Sequence, residues 1–133
     1  MNTGNNHSDD SLSTLHHALR TPRRRQVVSL VHEATDPPTT IRELARAIAA
    51  KEEGTHSEQA TGEPYRNAYN ALSQTHLPTL AEAGIIIYDS DRQTVLPGEN
   101  LTIAAVMVAM APPILQVLTP EVAGIQESTS ITD

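Results

Sequence analysis

If Tyr65, Tyr69, Leu72, Leu77 and Leu80 point into the core from one helical segment, Arg66, Asn67, Asn70, Ser73 and Gln74 lie on its opposite side. With the apolar set inward, the polar set faces out. Its chemistry is that of base-edge recognition. Arg reaches guanine O6 and N7 bidentately, Asn and Gln reach adenine N6 and N7, and each good pair discriminates by about 1–3 kcal/mol. A solvated helix face has the same composition, and the residues alone leave both readings open.

A second set of cations has the chemistry of phosphate contact. Arg42 and Arg46 stand four apart on the outer face of one helical segment, where like charges cost about 0.2–0.5 kcal/mol. A nearby anion removes that cost; ordinary pairing with Glu43 or another acid is the other reading. Arg92 sits in the polar run Ser90-Asp91-Arg92-Gln93, a turn whose tip either touches nucleic-acid backbone or is simply solvated. Arg23-Arg24-Arg25 opens a helix, where positive charge opposes the helix dipole. Arg25 aligns with Ser29 and His32 on the outside and is the phosphate candidate of the three. Arg24 borders the apolar stripe and is expected to pair with an acid or to snorkel. A structural role for the triplet, fixing this helix against adjacent segments, is favoured.

Other chemistries find no residues to carry them. The chain has no cysteine, which excludes disulfides, thiolate zinc cages, iron-sulfur clusters and a cysteine nucleophile. Histidines 7, 16, 17, 32, 56 and 76 show no ligand spacing, so no metal site is expected. Nucleophile-base-acid sets, glycine loops for phosphate and paired catalytic carboxylates are not recognisable, so neither enzymatic activity nor a cofactor is expected.

The elements that must position these residues follow from caps and periodicity. Residues 1–10 read as a lead without structure, and Ser11 as the cap of a short helix with Leu12, Leu15 and Leu19 on one face. Thr21-Pro22 starts a second helix that buries Val27, Val28, Leu30, Val31 and Ala34 and stops at Asp36-Pro37-Pro38. Thr40-x-x-Glu43 is a capping box for a third, with Ile41, Leu44, Ala45 and Ile48 inside. A polar loop over 54–62 leads to a fourth helix from Glu63-Pro64 to Gly84, with a kink or break at Pro78 near Leu77. The period then changes to that of strands, at Ile85 to Tyr88 and Thr94 to Leu96, closing a short hairpin. Asn100 caps a last helix, apolar on nearly every side, that Pro112-Pro113 interrupts, and 120–133 read as a free tail.

Three helices followed by a hairpin is the element order of a winged helix. The words TPRRRQVV (21–28), IRELARAIAAKE (41–52) and THLPTLAEAGIIIYD (75–89) resemble an uncharacterised haloarchaeal winged helix-turn-helix family. The last word is also similar to the recognition helix and start of the wing in ArsR-like repressors. The resemblance covers roughly residues 12–97. It implies a DNA-binding regulator without enzymatic activity; metal sensing through cysteine ligands is not carried over.

The 133 residues suit one domain with tails, and with no Phe or Trp the core must be aliphatic. Net charge is −7, yet eight of nine basic residues are Arg, and residues 20–46 carry +3 while every other stretch is negative. An acidic, lysine-poor chain suits a salt-rich cytoplasm, where the Debye length falls to about 3 Å at 1 M. The polar start has no basic or apolar signal region, and a cytoplasmic address is expected.

The expected fold class is therefore mainly α with a small β-hairpin: a winged helix-turn-helix domain over 11–98 plus an apolar C-terminal helix over 99–119. The expected function is DNA-binding transcription regulation, with residues 64–77 in the major groove of double-stranded DNA and 85–96 as the wing. A winged-helix module for protein-protein interaction, favoured by Asp89 and Asp91 near the wing, is the alternative. Residues 101–118 are expected to pair two copies as a homodimer; internal packing and membrane contact are the other options. A membrane span is disfavoured by the double proline and the lack of flanking Lys or Arg.

Overall fold

The computed structural model describes residues 3–54 and 62–118, with side chains over 11–54 and 62–110. Two helix starts set its frame. Thr21 accepts the Arg24 amide at 3.3 Å, and Pro22, which needs no hydrogen-bond partner there, begins helix α2 (Pro22–Glu33). The Thr40 hydroxyl accepts the Glu43 amide at 3.0 Å while the Glu43 carboxylate accepts the Thr40 amide at 3.1 Å, a closed capping box that starts α3 (Ile41–Glu53). Ahead of them, α1 (Thr3–Ala18) begins well before the expected Ser11 cap, so residues 3–10 belong to a helix instead of an unstructured lead. Burial of Leu15, Ala18 and Leu19 anchors its C-terminal end.

The expected kink at Pro78 takes another form. Helix α4 (Gly62–Ala71) passes through a wider π turn (Leu72–His76) into α5 (Leu77–Glu82). The Leu77 amide donates to the Leu72 carbonyl five residues back, so the apolar stripe steps from Leu72 to Leu77 and both are fully buried. Pro78 sits in the first turn of α5, beside the altered hydrogen-bond ladder. The segment ends as expected at Gly84. This residue has φ +75°, its amide reaches the Ala81 carbonyl, and the Ile85 amide reaches that of Leu80, both at 3.0 Å, which makes a Schellman motif.

The expected hairpin is present as β2 (Ile86–Asp89) and β3 (Thr94–Pro97), with Tyr88 opposite Val95 and Asp89 opposite Thr94. A two-residue strand, β1 (Thr39–Thr40), joins it to give an antiparallel sheet of order β1-β3-β2. Helix α6 (Leu101–Leu118) continues through Pro112-Pro113, where an interruption was expected. Each proline removes one backbone donor and crowds the carbonyl four residues earlier, yet the helix extends past both. The Asn100 side-chain amide does not fold back on its own helix; it donates to the Ala83 carbonyl at 2.9 Å and ties the start of α6 to the end of α5.

One hydrophobic cluster gathers Val27, Leu44, Ile48, Leu72, Leu80, Ile85 and Val95 with Leu101 and Ala104 of α6. The protein is thus mainly helical with a small three-stranded antiparallel sheet. The loop expected over 54–62 lies outside the described residues for 55–61, as does the expected tail over 120–133.

Candidate functional site

Arg42 and Arg46 project from the exposed side of α3, and Arg92 from the hairpin tip; all three line one cleft of about 360 Å³ together with Thr40, Glu43, Tyr69 and Gln93. The sequence separates Arg42 from Arg92 by half a domain. What brings them together is Gln93, a residue at φ 57° in the left-handed region, whose carbonyl accepts the Ile41 amide at 3.0 Å. Its side-chain oxygen accepts the Tyr69 hydroxyl. The hairpin tip is thereby fastened to the first turn of α3 and to α4. Neither contact is visible in local patterning; a non-glycine residue at the last position of a hairpin loop is the one hint.

The charges of the cleft are unbalanced. The Glu43 carboxylate accepts the Thr40 amide in the capping box. Arg92, 82% exposed, stands 4.0 Å from Asp89, whose other carboxylate oxygen accepts the amides of Asp91 and Arg92 at 3.1 Å. Arg46 lies 6.0 Å over the Tyr65 ring, which in turn tilts against Tyr69 with 6.0 Å between centroids. Burial, and then the neighbouring Tyr69, raises the Tyr88 hydroxyl above its ordinary pKa and keeps it neutral.

Helix α4 turns Tyr65, Ala68 and Tyr69 toward the core and leaves Arg66, Asn67 and Asn70 exposed. Gln74 is exposed as well. Ser73 is drawn half inward by the π turn, and its hydroxyl donates to the Asn70 carbonyl at 3.3 Å. Thr75, which the sequence pattern did not single out, is exposed beside Gln74.

The arginine triplet has three separate destinations. Arg23 makes a side-on bidentate pair with Glu52 of α3 at 2.7 and 2.9 Å, and that hydrogen bond holds the Glu52 carboxyl below its usual pKa. Arg24 is only 6% exposed and pairs with no acid among the described residues, where an acid partner or snorkelling was expected. Its guanidinium donates to the Ala18 carbonyl at 2.7 Å and the His17 carbonyl at 3.3 Å, the negative end of the α1 dipole. Arg25, expected to be a phosphate ligand, donates through one guanidinium nitrogen to the carbonyls of Leu19 and Arg20 at 3.0 and 3.1 Å. Its guanidinium does not line the cleft. The orphan carbonyls at the end of α1 take up these donors.

A family model described as a domain of unknown function (DUF7344) matches residues 16–96, more than half of the chain. The chain belongs to the DUF7344 family. The DUF7344 segment contains the cleft, the α4 face and all three arginines of the triplet, and it ends before α6. Comparison with curated proteins and with solved structures gives no match. Among the described residues no helix is long and apolar enough to cross a membrane, and no group of three or more His, Asp or Glu is placed to hold a metal ion.

Proposed function

We propose that this DUF7344 protein is a transcription regulator that binds double-stranded DNA through a winged helix. The observation that carries the reading is the convergence of Arg42, Arg46 and Arg92 on one cleft, to which α4 contributes Tyr69 while exposing Arg66, Asn67 and Asn70. The element order supports it: three helices, α2, α3 and the α4–α5 segment, precede a hairpin, and a short strand between the first two completes the sheet. Residues 64–77 enter the major groove, Arg66, Asn67, Asn70 and Gln74 meet base edges, and the arginines of the cleft meet phosphate.

Binding of labelled duplexes, selected from a random pool and followed across a salt series, tests this. Wild type selects a preferred sequence; Arg66→Ala costs about 1–3 kcal/mol on that sequence and relaxes the preference at one position. Failure to bind any duplex at any salt refutes the reading and leaves the same scaffold as a protein-interaction module.

The proposal includes a homodimer. Leu101 and Ala104 are buried and Ala105, Met107 and Val108 pack on the core, while Ile103, Val106 and Met110 are exposed along the other side of α6, the last at 65%. Residues 101–118 contain no charged side chain. A two-fold copy covers such a face. Sedimentation at micromolar concentration then gives a dimer, and Val106→Asp gives a monomer. A salt-rich cytoplasm is the proposed setting, and a thermal midpoint that rises in molar KCl is its signature.

A further inference from the structure

By residue type alone, Arg42, Arg46 and Arg92 are phosphate candidates. Their cleft of about 360 Å³ has room for an anion. Three guanidiniums and one carboxylate line it, in a chain of net charge −7, and that carboxylate is already committed to the capping box. The Arg42 side chain has no hydrogen bond or ion pair among the described residues, and that of Arg46 has only the Tyr65 ring. Arg42 and Arg46 stand four apart on one helix, and Arg92 keeps its 4.0 Å pair with Asp89. What the cleft lacks is an anion with several acceptor oxygens, and planar guanidinium forks match phosphate oxygens.

We infer that the cleft is a seat for a single phosphate group, held jointly by Arg42, Arg46 and Arg92, and that Tyr69 and Gln93 are positioning residues that keep Arg92 over it. The inference rests on the DNA-binding reading for its main source of phosphate, the DNA backbone; a free phosphate-bearing molecule presents the same chemistry. Gln93 is the critical link because it follows Arg92 directly and is fastened at both its carbonyl and its side chain.

Two measurements test the seat. In the first, inorganic phosphate is titrated against chloride at matched ionic strength, and the arginine Nε–H resonances of isotope-labelled protein are followed. The signals of Arg42, Arg46 and Arg92 shift together with one affinity for phosphate. An equal response to chloride, or three unrelated affinities, overturns the seat. Tyr69→Phe retains the wild-type thermal midpoint within a few degrees, reduces the Arg92 shift and weakens the shared affinity read at Arg42 and Arg46. An unchanged Arg92 response overturns the positioning role.

In the second, the salt dependence of duplex binding is compared between wild type and a variant combining Arg42→Ala, Arg46→Ala and Arg92→Ala. One shared phosphate lowers the slope of log K against log salt by about 0.9, whereas three separate phosphates lower it by about 2.7. A loss near the larger value overturns the inference and leaves DNA binding intact. Phosphate shifts without any duplex binding refute the DNA reading and keep the seat, with a free phosphate compound as its occupant.

Discussion

The Arg24 guanidinium meets His76 Nδ1 at 3.3 Å, joining residues 52 positions apart. A guanidinium has donors only, so Nδ1 must accept and the ring proton sits on Nε2. This contact places the start of α2 against the π turn between α4 and α5. It also makes the neutral imidazole the compatible state.

Acid should therefore weaken the fold through His76. Burial first, then the charges of Arg24 and Arg23, lower its pKa below the ordinary 6.5. The unfolded chain takes up this proton near pH 6.5 and the folded protein only at lower pH, so the contribution is complete above about 6.5 and is lost as pH falls through the folded value. Urea midpoints at pH 8 and pH 5 should differ more for wild type than for His76→Gln, whose side-chain oxygen still accepts from Arg24. Equal acid sensitivity in the two proteins contradicts the assignment.

Arg24→Lys is expected to destabilise by about 1–3 kcal/mol, because one ammonium cannot serve the carbonyls of Ala18 and His17 and the His76 ring together. Denaturant unfolding measures this directly. Arg25→Lys, at a partly exposed site with two acceptors, should cost less.

For Gly98→Ala the expectation is a loss of about 1–3 kcal/mol or more from crowding. An added Cβ would lie 2.5 Å from the Gly84 carbonyl oxygen and 2.8 Å from the backbone of Ile85 and Ile86, none of which is a flexible side-chain end. Gly54→Ala serves as the comparison, since its Cβ meets nothing within 4 Å and only the positive φ opposes it. A smaller drop in thermal midpoint for Gly98→Ala than for Gly54→Ala would falsify the crowding argument.

The Arg23–Glu52 pair is half-exposed, and a double-mutant cycle should return only about 0.2–1 kcal/mol, decreasing as salt is added. A coupling that survives molar KCl unchanged would show that the bidentate geometry, and not screened charge, dominates.

Features encoded within a few residues of one another were legible in the sequence. Thr21-Pro22, the Thr40 to Glu43 capping box, the Gly84 stop and the β2–β3 hairpin each carry their own local signal, and each is present. Strand β1 is too short for alternation and exists only through pairing with β3. The π turn had a signal that helical periodicity passed over: Leu72 and Leu77, five apart, cannot both face inward on a regular helix. For the site, the exposed side of α4 followed from its apolar stripe. The fates of Arg24, Arg25 and Gln93 did not, because each depends on backbone groups that only the folded chain brings near.

The bond from the Ile41 amide to the Gln93 carbonyl has a mechanical consequence. A load applied to the finger tip is transmitted to the opening turn of α3 and, through the strand ladder, into the middle of the molecule. A phosphate group docking on the proposed seat would therefore meet a tip and a helix turn already fastened to each other.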